Sequence, residues 1–517
     1  MAFAASLAEG DQFYQSGQAE SARNAWSKAF SLALTDAERC AVAGRFLSLG
    51  FLAEAEEALS LCQVSSASLI ALHSSLALER GEVETSLTFL DDEAARDNLP
   101  LMSNALLVAH YLTTENPLAI KNKSLQWAAK AKVQRGGLPA RSRSARGSSK
   151  PLRMGFMSGD LCAHPVGFLI GPIMQALAAR PDDVELFIFD NGVQNDWVTD
   201  RLKSFCGPDH WHMIRHLNDD DASQIIFDTE LDVLVDCSGH TSRSRIGLLT
   251  HRLAPLQISW GGYFSTTGLD TIDAVIMDRF HAPEGNEAYF VEKILRVPSR
   301  FIYAPPPACP PVTDAPYFRN GVISFGSFNN IAKINDDVVK IWSSILNNVP
   351  GSRLILKWRC FADSKFCDFT KHRFVQHGVE SGRIILRPFS IYRDTLAEYR
   401  DVDIALDPFP FTGGQTSLDA LWMGVPLVTM VGRSPVARQG HAFVNLIGKP
   451  EWSSSNESDY IQCALTLARD PDALRSMRFD QRTLIHHSKL SDASSFVDVL
   501  INAIQKEDIS PSGLKTQ

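Results

Sequence analysis

Apolar positions along this chain follow two rhythms, and the first gives way to the second near residue 150. Through roughly the first 130 residues the chain reads as helix almost throughout, rich in Ala, Leu, Glu and Ser with few prolines. A repeat shows in its glycines. Gly17, Gly50 and Gly81 lie 33 and 31 residues apart, each at the end of a helical stretch. Five residues after each comes a small residue, Ala22, Ala55 or Ser86, and nine residues after each a large apolar one, Trp26, Leu59 or Leu90. Phe13 and Phe46 stand four residues before the first two, and Gly10, Tyr14 and Ala29 strengthen the first copy. A glycine that ends one helix, a small residue that lets the next approach and a large one that fills the gap make a degenerate tetratricopeptide-like pattern. An unrelated antiparallel helical bundle is the alternative. Stacked helix pairs form binding surfaces, so recognition is the role expected of residues 1–131.

From Leu152 onward short apolar runs alternate with amphipathic helices. Strands are expected at 153–157, 186–189, 233–236, 258–260 and 274–277, then at 323–326, 354–356, 384–386, 404–407 and 427–430. Val338, Trp342, Ile345 and Val349 fall at helical spacing, and Pro350-Gly351 stops that helix. Alternation of this kind implies parallel sheets in doubly wound units, with ligands at the carboxyl ends of strands. A proline-rich stretch at 305–314 divides a first lobe, 151–310, from a second, 311–505, and two lobes imply a cleft. Residues 132–150 hold six basic residues among Gly and Ser and no acid, the composition of a flexible linker. The polar tail 506–517 is expected to be disordered.

Composition narrows the function. The chain has 517 residues, 45% of them hydrophobic, enough for more than one core. A net charge of -9 argues against general nucleic-acid affinity. No run approaches the 18 or so apolar residues of a membrane span, and the start lacks the basic leader of a secretory signal. Nine scattered cysteines without metal-ligand spacing suit a reducing, cytoplasmic setting. Neither GxGxxG after a strand nor a P-loop pattern occurs, so dinucleotide and P-loop readings lose their main support.

Candidate chemistry gathers at strand ends. After the strand ending at Asp407 comes Gly413-Gly414-Gln415-Thr416-Ser417, where a helix is expected to open. Free amides at that helix start, beside the Thr416 and Ser417 hydroxyls, make an anion site, and the two glycines let a ligand approach the backbone. Ordinary N-capping by the same residue types remains the alternative. Asp419, one turn in, is placed to accept from ribose hydroxyls. Lys333, in Phe328-Asn329-Asn330-Ile331-Ala332-Lys333, follows the first strand of the same lobe and is a candidate phosphate cation. His164 and His240 stand on loops after strands of the first lobe, as candidates for acid–base work or as hydrogen-bonded structural histidines. Asp219-Asp220-Asp221 and Asp401-Val402-Asp403 imitate a metal-holding DxD element; the first reads as acids opening a helix, the second as the lead into a strand.

These pieces, in order, resemble glycosyltransferase family 41, which holds the animal O-GlcNAc transferases, plant SPINDLY and bacterial relatives. The matching segments are Leu152-Arg153-Met154-Gly155-Phe156, His164-Pro165-Val166-Gly167, Gly239-His240-Thr241 and Ala254-Pro255-Leu256-Gln257-Ile258-Ser259-Trp260. In the second lobe they are Phe328-Asn329-Asn330 with Lys333, Leu406-Asp407, Thr416, Asp419 and Leu421-Trp422-Met423-Gly424-Val425-Pro426. The resemblance implies an α/β GT-B fold, two Rossmann-like lobes facing a cleft, behind an all-α repeat region. It implies metal-independent, inverting transfer of a sugar from a nucleoside diphosphate to protein Ser or Thr, with no cofactor and with the acceptor recruited through the repeats. By the same resemblance Lys333 stabilises the leaving diphosphate. Asn330, Gly414, Gln415, Thr416 and Ser417 line the donor site, and Asp419 holds the ribose. His164 matches a histidine discussed as general base, and His240 a loop histidine of bacterial members. Two departures leave the donor open among UDP-GlcNAc, GDP-fucose and other nucleotide sugars. Animal enzymes carry a histidine before the Thr pair, where Gly414-Gln415 stands here, and another beside the uracil, where Thr395 stands. Transfer to envelope glycan or small molecules, and a catalytically silent scaffold, are the other functions this sequence leaves open.

Overall fold

The computed structural model describes residues 1–114, 116–134 and 151–506. The stretch 135–150, most of the expected linker, and the tail from 507 lie outside the described residues. By their contacts the residues form two compact units: 1–115 with 306–432 and 449–483, and 116–305 with 433–448 and 484–517.

Helices α1 (Ala2–Gln15), α2 (Ala19–Leu32), α3 (Asp36–Leu49), α4 (Leu52–Ser60), α5 (Ala67–Glu79), α6 (Val83–Leu90), α7 (Leu99–Ala109) and α8 (Pro117–Gln134) fill the N-terminal region. The repeat is built as its glycines predict. Gly17, Gly50 and Gly81 turn the chain between α1 and α2, α3 and α4, and α5 and α6, with φ of 76°, 80° and 78°, values that L side chains rarely adopt. Ala22, Ala55 and Ser86 are wholly enclosed, and Trp26, Leu59 and Leu90 are buried beside them. A capping box of Thr35 and Glu38 starts α3. Lys132, Val133 and Gln134, expected to open the linker, complete α8. The helical region, expected as one piece to residue 131, is divided between the units, since α8 groups with the first lobe.

The second unit holds seven parallel strands: β1 (Leu152–Ser158), β2 (Val184–Asp190), β3 (Trp211–Met213), β4 (Val233–Asp236), β5 (Leu256–Ser259), β6 (Ala274–Met277) and β7 (Lys293–Arg296), in the order β3-β2-β1-β4-β5-β6-β7. Phe156, Ile188, Val235 and Ile258 form its core with Ile170, Ile173 and Met174 from the helix Pro165–Ala178. Phe496, Val497, Leu500 and Ile501 of the helix Ala493–Gln505 join the same core. Residues 433–448 and the last helix thus belong with the first sheet, whereas the sequence pattern assigns 311–505 to one lobe. Apolar periodicity marks a helix face but not which sheet it covers.

The first unit carries six parallel strands: β8 (Ser324–Ser327), β9 (Arg353–Lys357), β10 (Ile384–Arg387), β11 (Ile404–Leu406), β12 (Leu427–Met430) and β13 (Ser453–Ser454), in the order β10-β9-β8-β11-β12-β13. All ten expected strands are present, and β3, β7 and β13 are added as the outer strands of the two sheets. Within this unit the repeat turns meet the carboxyl ends of the strands in register. A β-carbon at Gly17 would lie 3.5 Å from Ile391, in the loop after β10. One at Gly50 would run into the Arg359 carbonyl after β9, and one at Gly81 would approach the Ile331 carbonyl after β8. Tyr111, two residues beyond α7, stacks on Phe411 in the loop after β11, with ring centroids 4.6 Å apart. Glu79 on α5 fixes the middle of this contact, accepting from Trp358 Nε1 at 2.8 Å and from Arg359 Nη2 at 2.8 Å.

Candidate nucleotide-sugar site

In both sheets the strand order reverses beside the first strand, between β1 and β4 and between β8 and β11. Such switch points open a crevice at the carboxyl ends of the strands, where doubly wound folds bind ligands. The loops after β8 and β11 carry the expected donor residues of the second lobe.

After β8, Asn330 caps the short turn Ile331–Lys333 by accepting from Ala332 N at 3.0 Å. That turn aims Lys333 at the loop after β11, where its Nζ donates to the Thr412 carbonyl at 2.9 Å and sits 4.2 Å from the Phe411 ring centroid. Enclosure lowers the Lys333 pKa and neighbouring Asp407 opposes the shift. Asp407, at the end of β11, is fully buried and raised by that burial. It accepts from Gly413 N at 2.7 Å and Ser417 Oγ at 3.1 Å, and its other oxygen accepts from Thr429 Oγ1 at 2.8 Å. This carboxylate therefore clamps both ends of the turn that opens the helix Gln415–Trp422. Gly413 has no room for a side chain, since a β-carbon would crowd Ser417, Asp407 and Asn329.

Gly414 is the N-cap of that helix and makes no side-chain cap, so the first-turn amides keep the donor capacity that helix starts leave unspent. Gly414, Gln415 and Thr416 are partly exposed, whereas Ser417 and Asp419 are buried. Ser417, expected to reach phosphate, instead supports the loop through Asp407. The Thr416 hydroxyl donates to Asn329 Oδ1 at 3.0 Å, tying the β11 loop to the β8 loop. Asp419 Oδ1 accepts from the Tyr392 hydroxyl and from Gln415 Nε2, both at 2.8 Å. Gln415 is thereby held beside Asp419 rather than reaching forward. The structure thus brings Asn330, Lys333, Gly414, Gln415, Thr416 and Asp419 together around one switch point and adds Asn329, Asp407 and Tyr392. For Asp407 the sequence offers a strand end before a double glycine and a family-like Leu406-Asp407 pair, but no site role. No local pattern flags Tyr392, which opens the helix Tyr392–Glu398 that follows β10.

His164 and His240 lie in the other unit, after β1 and β4 at its own switch point. His164 caps the helix Pro165–Ala178, its Nδ1 accepting from Val166 N at 3.3 Å, so the neutral ring carries its proton on Nε2. Its side chain is 39% exposed, and Asp160 Oδ2 lies 4.0 Å from Nδ1. Enclosure lowers its pKa, against the pull of Asp160. His240 is fully buried: Nε2 donates to the Thr267 carbonyl at 2.9 Å, and the ring packs edge-on to Trp127 of α8 and to Tyr263. Burial pushes it down to about 4. Those are the surroundings of a hydrogen-bonded structural histidine.

Neither acidic cluster has the form of a metal site. Asp219 pairs with Arg245 at the start of the helix Asp219–Asp228. Asp401 pairs with Arg319 and Arg387, and Asp403 accepts from Ser324 N at 2.9 Å. Among the described residues no three His, Cys, Asp or Glu side chains group to hold a metal, and no helix is long and apolar enough to cross a membrane.

Two doubly wound parallel sheets behind a helical repeat region, with the chemistry-bearing loops at their switch points, define a two-lobed, GT-B-like protein. The chain belongs to glycosyl transferase family 41, whose sequence profile matches residues 117–304 and 314–500. A tomato (Solanum lycopersicum) protein described as a probable UDP-N-acetylglucosamine–peptide N-acetylglucosaminyltransferase SPINDLY is 35% identical over 67% of this chain and 38% of its own length. Arabidopsis thaliana SEC, described by the same activity, is 24% identical over 67% of this chain and 36% of its own. The chain thus spans about two fifths of the length of the curated relatives it matches. Among solved structures, a point mutant of the Thermobaculum terrenum O-GlcNAc transferase superposes with a TM-score of 0.87 at 27% identity, covering 98% of both chains.

Proposed function

We propose that this chain is an inverting, metal-independent glycosyltransferase that moves a sugar from a nucleoside diphosphate to a protein Ser or Thr hydroxyl. The observation that carries the reading is the pairing of Lys333, on the β8 loop, with the uncapped helix start at Gly414–Thr416 on the β11 loop across one switch point. As the bond from the sugar carbon to the diphosphate breaks, negative charge grows on the leaving phosphate. A fixed ammonium and fixed amides stabilise that charge without reorganising. Lys333 and the amides of residues 414–416 fill this role, with the Thr416 hydroxyl beside them. Asp419, steadied by Tyr392 and Gln415, takes the ribose hydroxyls, and Asn330 holds the turn that aims Lys333. Ser417 and Asp407 shape the loop. His164 carries its proton on Nε2 while Nδ1 accepts from Val166 N, and can act as a base there only in the other tautomer. His240 is assigned a structural role.

UDP-GlcNAc is the favoured donor, because SPINDLY, SEC and the Thermobaculum enzyme are all described as acting on N-acetylglucosamine or its UDP conjugate. The helical repeats are the proposed acceptor-recruiting element. Nine free cysteines support a reducing, cytoplasmic location. The test is calorimetric titration of the purified protein with UDP, GDP and their sugar conjugates, without added metal, beside Lys333→Ala. Binding of UDP that weakens by about a hundredfold in the variant, the scale of losing a charged contact, supports the reading. Preference for GDP would move the donor to a fucose-like sugar, and no binding by folded protein would leave a silent scaffold.

A further inference from the structure

Lys333 stands in a mount with two supports, and one residue from the helical repeats packs on the first. The first support is the loop after β11, where Phe411 offers its ring face to Nζ at 4.2 Å and Thr412 its carbonyl at 2.9 Å. Phe411 is buried, and its ring is in turn packed by Tyr111 at a centroid distance of 4.6 Å and a tilt of 42°. The second support is the turn from which Lys333 grows, capped by Asn330. Tyr111 follows α7, at the turn that continues the series Gly17, Gly50 and Gly81 over the strand ends. The first three turns meet the β10, β9 and β8 loops mainly by close backbone approach. The fourth reaches the β11 loop with an aromatic side chain.

We propose that Tyr111 is a positioning residue for Lys333, so that the helical repeats form part of the donor site and do not serve the acceptor alone. The inference rests on the donor reading of Lys333. The ring holds Phe411 against the ammonium, so this side of the lysine's mount depends on a side chain more than 200 residues upstream in sequence. A cation aimed by packing rather than by its own flexible stem is already placed when the diphosphate arrives.

The test uses the full chain, with UDP and GDP as probes. Tyr111→Leu keeps apolar bulk but removes the ring face and the hydroxyl. It is expected to weaken diphosphate binding about tenfold, with a melting temperature close to that of the parent. Tyr111→Phe keeps the stack and should stay within about threefold of the parent. The decisive comparison is Tyr111→Leu in a Lys333→Ala background. If Tyr111 acts through Lys333, the second loss shrinks to less than about twofold, whereas a general structural role leaves it undiminished. Parental affinity in folded Tyr111→Leu, or a full additional loss in the Lys333→Ala background, overturns the inference. Should Tyr111→Leu not fold, Phe411→Leu reads the same contact from the other ring, and unchanged affinity there overturns it equally. Lys333→Ala with parental binding and turnover would instead overturn the donor reading itself.

Discussion

Lys333 is a partly buried cation, and burial has a cost in protonation. Burial lowers its pKa from the ordinary lysine range and the facing carboxylate of Asp407 recovers only part of the shift. In the proposed donor role, the charged form is the one that stabilises a leaving diphosphate. Turnover is therefore expected to fall as pH rises through this lowered value, before the ordinary lysine titration near about 10.4. Lys333→Arg, if active, should lose that alkaline limb, because a guanidinium stays charged throughout. A rate profile from pH 6 to 10 decides the matter, and an alkaline limb that persists unchanged in Lys333→Arg would assign it to another group. At this scale the sequence was most informative where chemistry is local. Lys333, Thr416 and Asp419 sit in short segments after strands, and their residue types are those expected of a phosphate and ribose site. A hydroxyl in the first turn of a helix, such as that of Ser417, can face ligand or loop, and here it donates to Asp407, whose position the local sequence does not give. Tyr392 and Tyr111 reach this region from other elements, the start of the helix Tyr392–Glu398 and the turn after α7, and nothing near them in sequence marks a destination.

Elements were legible in proportion to their burial. The ten expected strands are mostly short apolar runs, and β4, β5, β6 and β8 are buried along their whole length. Those the pattern missed lack such a run: β3 is at most half-buried, β7 runs Lys-Ile-Leu-Arg with one buried position, and β13 is two serines. Outer strands pair on one side only and need no continuous apolar stretch. The repeat glycines were legible for the opposite reason, since a positive φ admits few other residues. Their environments differ, and a contrast in stability follows. Gly81→Ala meets nothing closer than the Ile331 carbonyl at 3.6 Å and should cost about 1–2 kcal/mol, the strain of a left-handed backbone. Gly50→Ala drives a methyl into the Arg359 carbonyl and should cost on the order of 3 kcal/mol or more, because backbone must move. Urea melts of the two variants compare them directly, and equal losses would mean that the turn yields at Gly50.

Over the whole molecule the lesson concerns where the chain crosses between units. The pattern of helices predicts a single N-terminal block, yet α8 groups with the first lobe, where Trp127 packs against His240 and Lys132 pairs with Asp270. Two truncations separate these roles. Removal of residues 1–115 leaves the Trp127 contact in place; removal of 1–134 strips it. The longer deletion is expected to destabilise the first lobe by a further ~3–5 kcal/mol, the scale of losing a buried tryptophan, read as a lower urea midpoint for its transition. Equal midpoints would make α8 a passenger. The register of repeat turns on strand ends has a consequence for how such a protein changes over generations. The ladder is pinned at its last rung by Tyr111 and starts at β10, the outer strand of its sheet, so it can lengthen in one direction only. New helix pairs added ahead of α1 would project past the sheet without disturbing the lysine. Pairs inserted nearer the catalytic region would shift every rung by one strand and break the site.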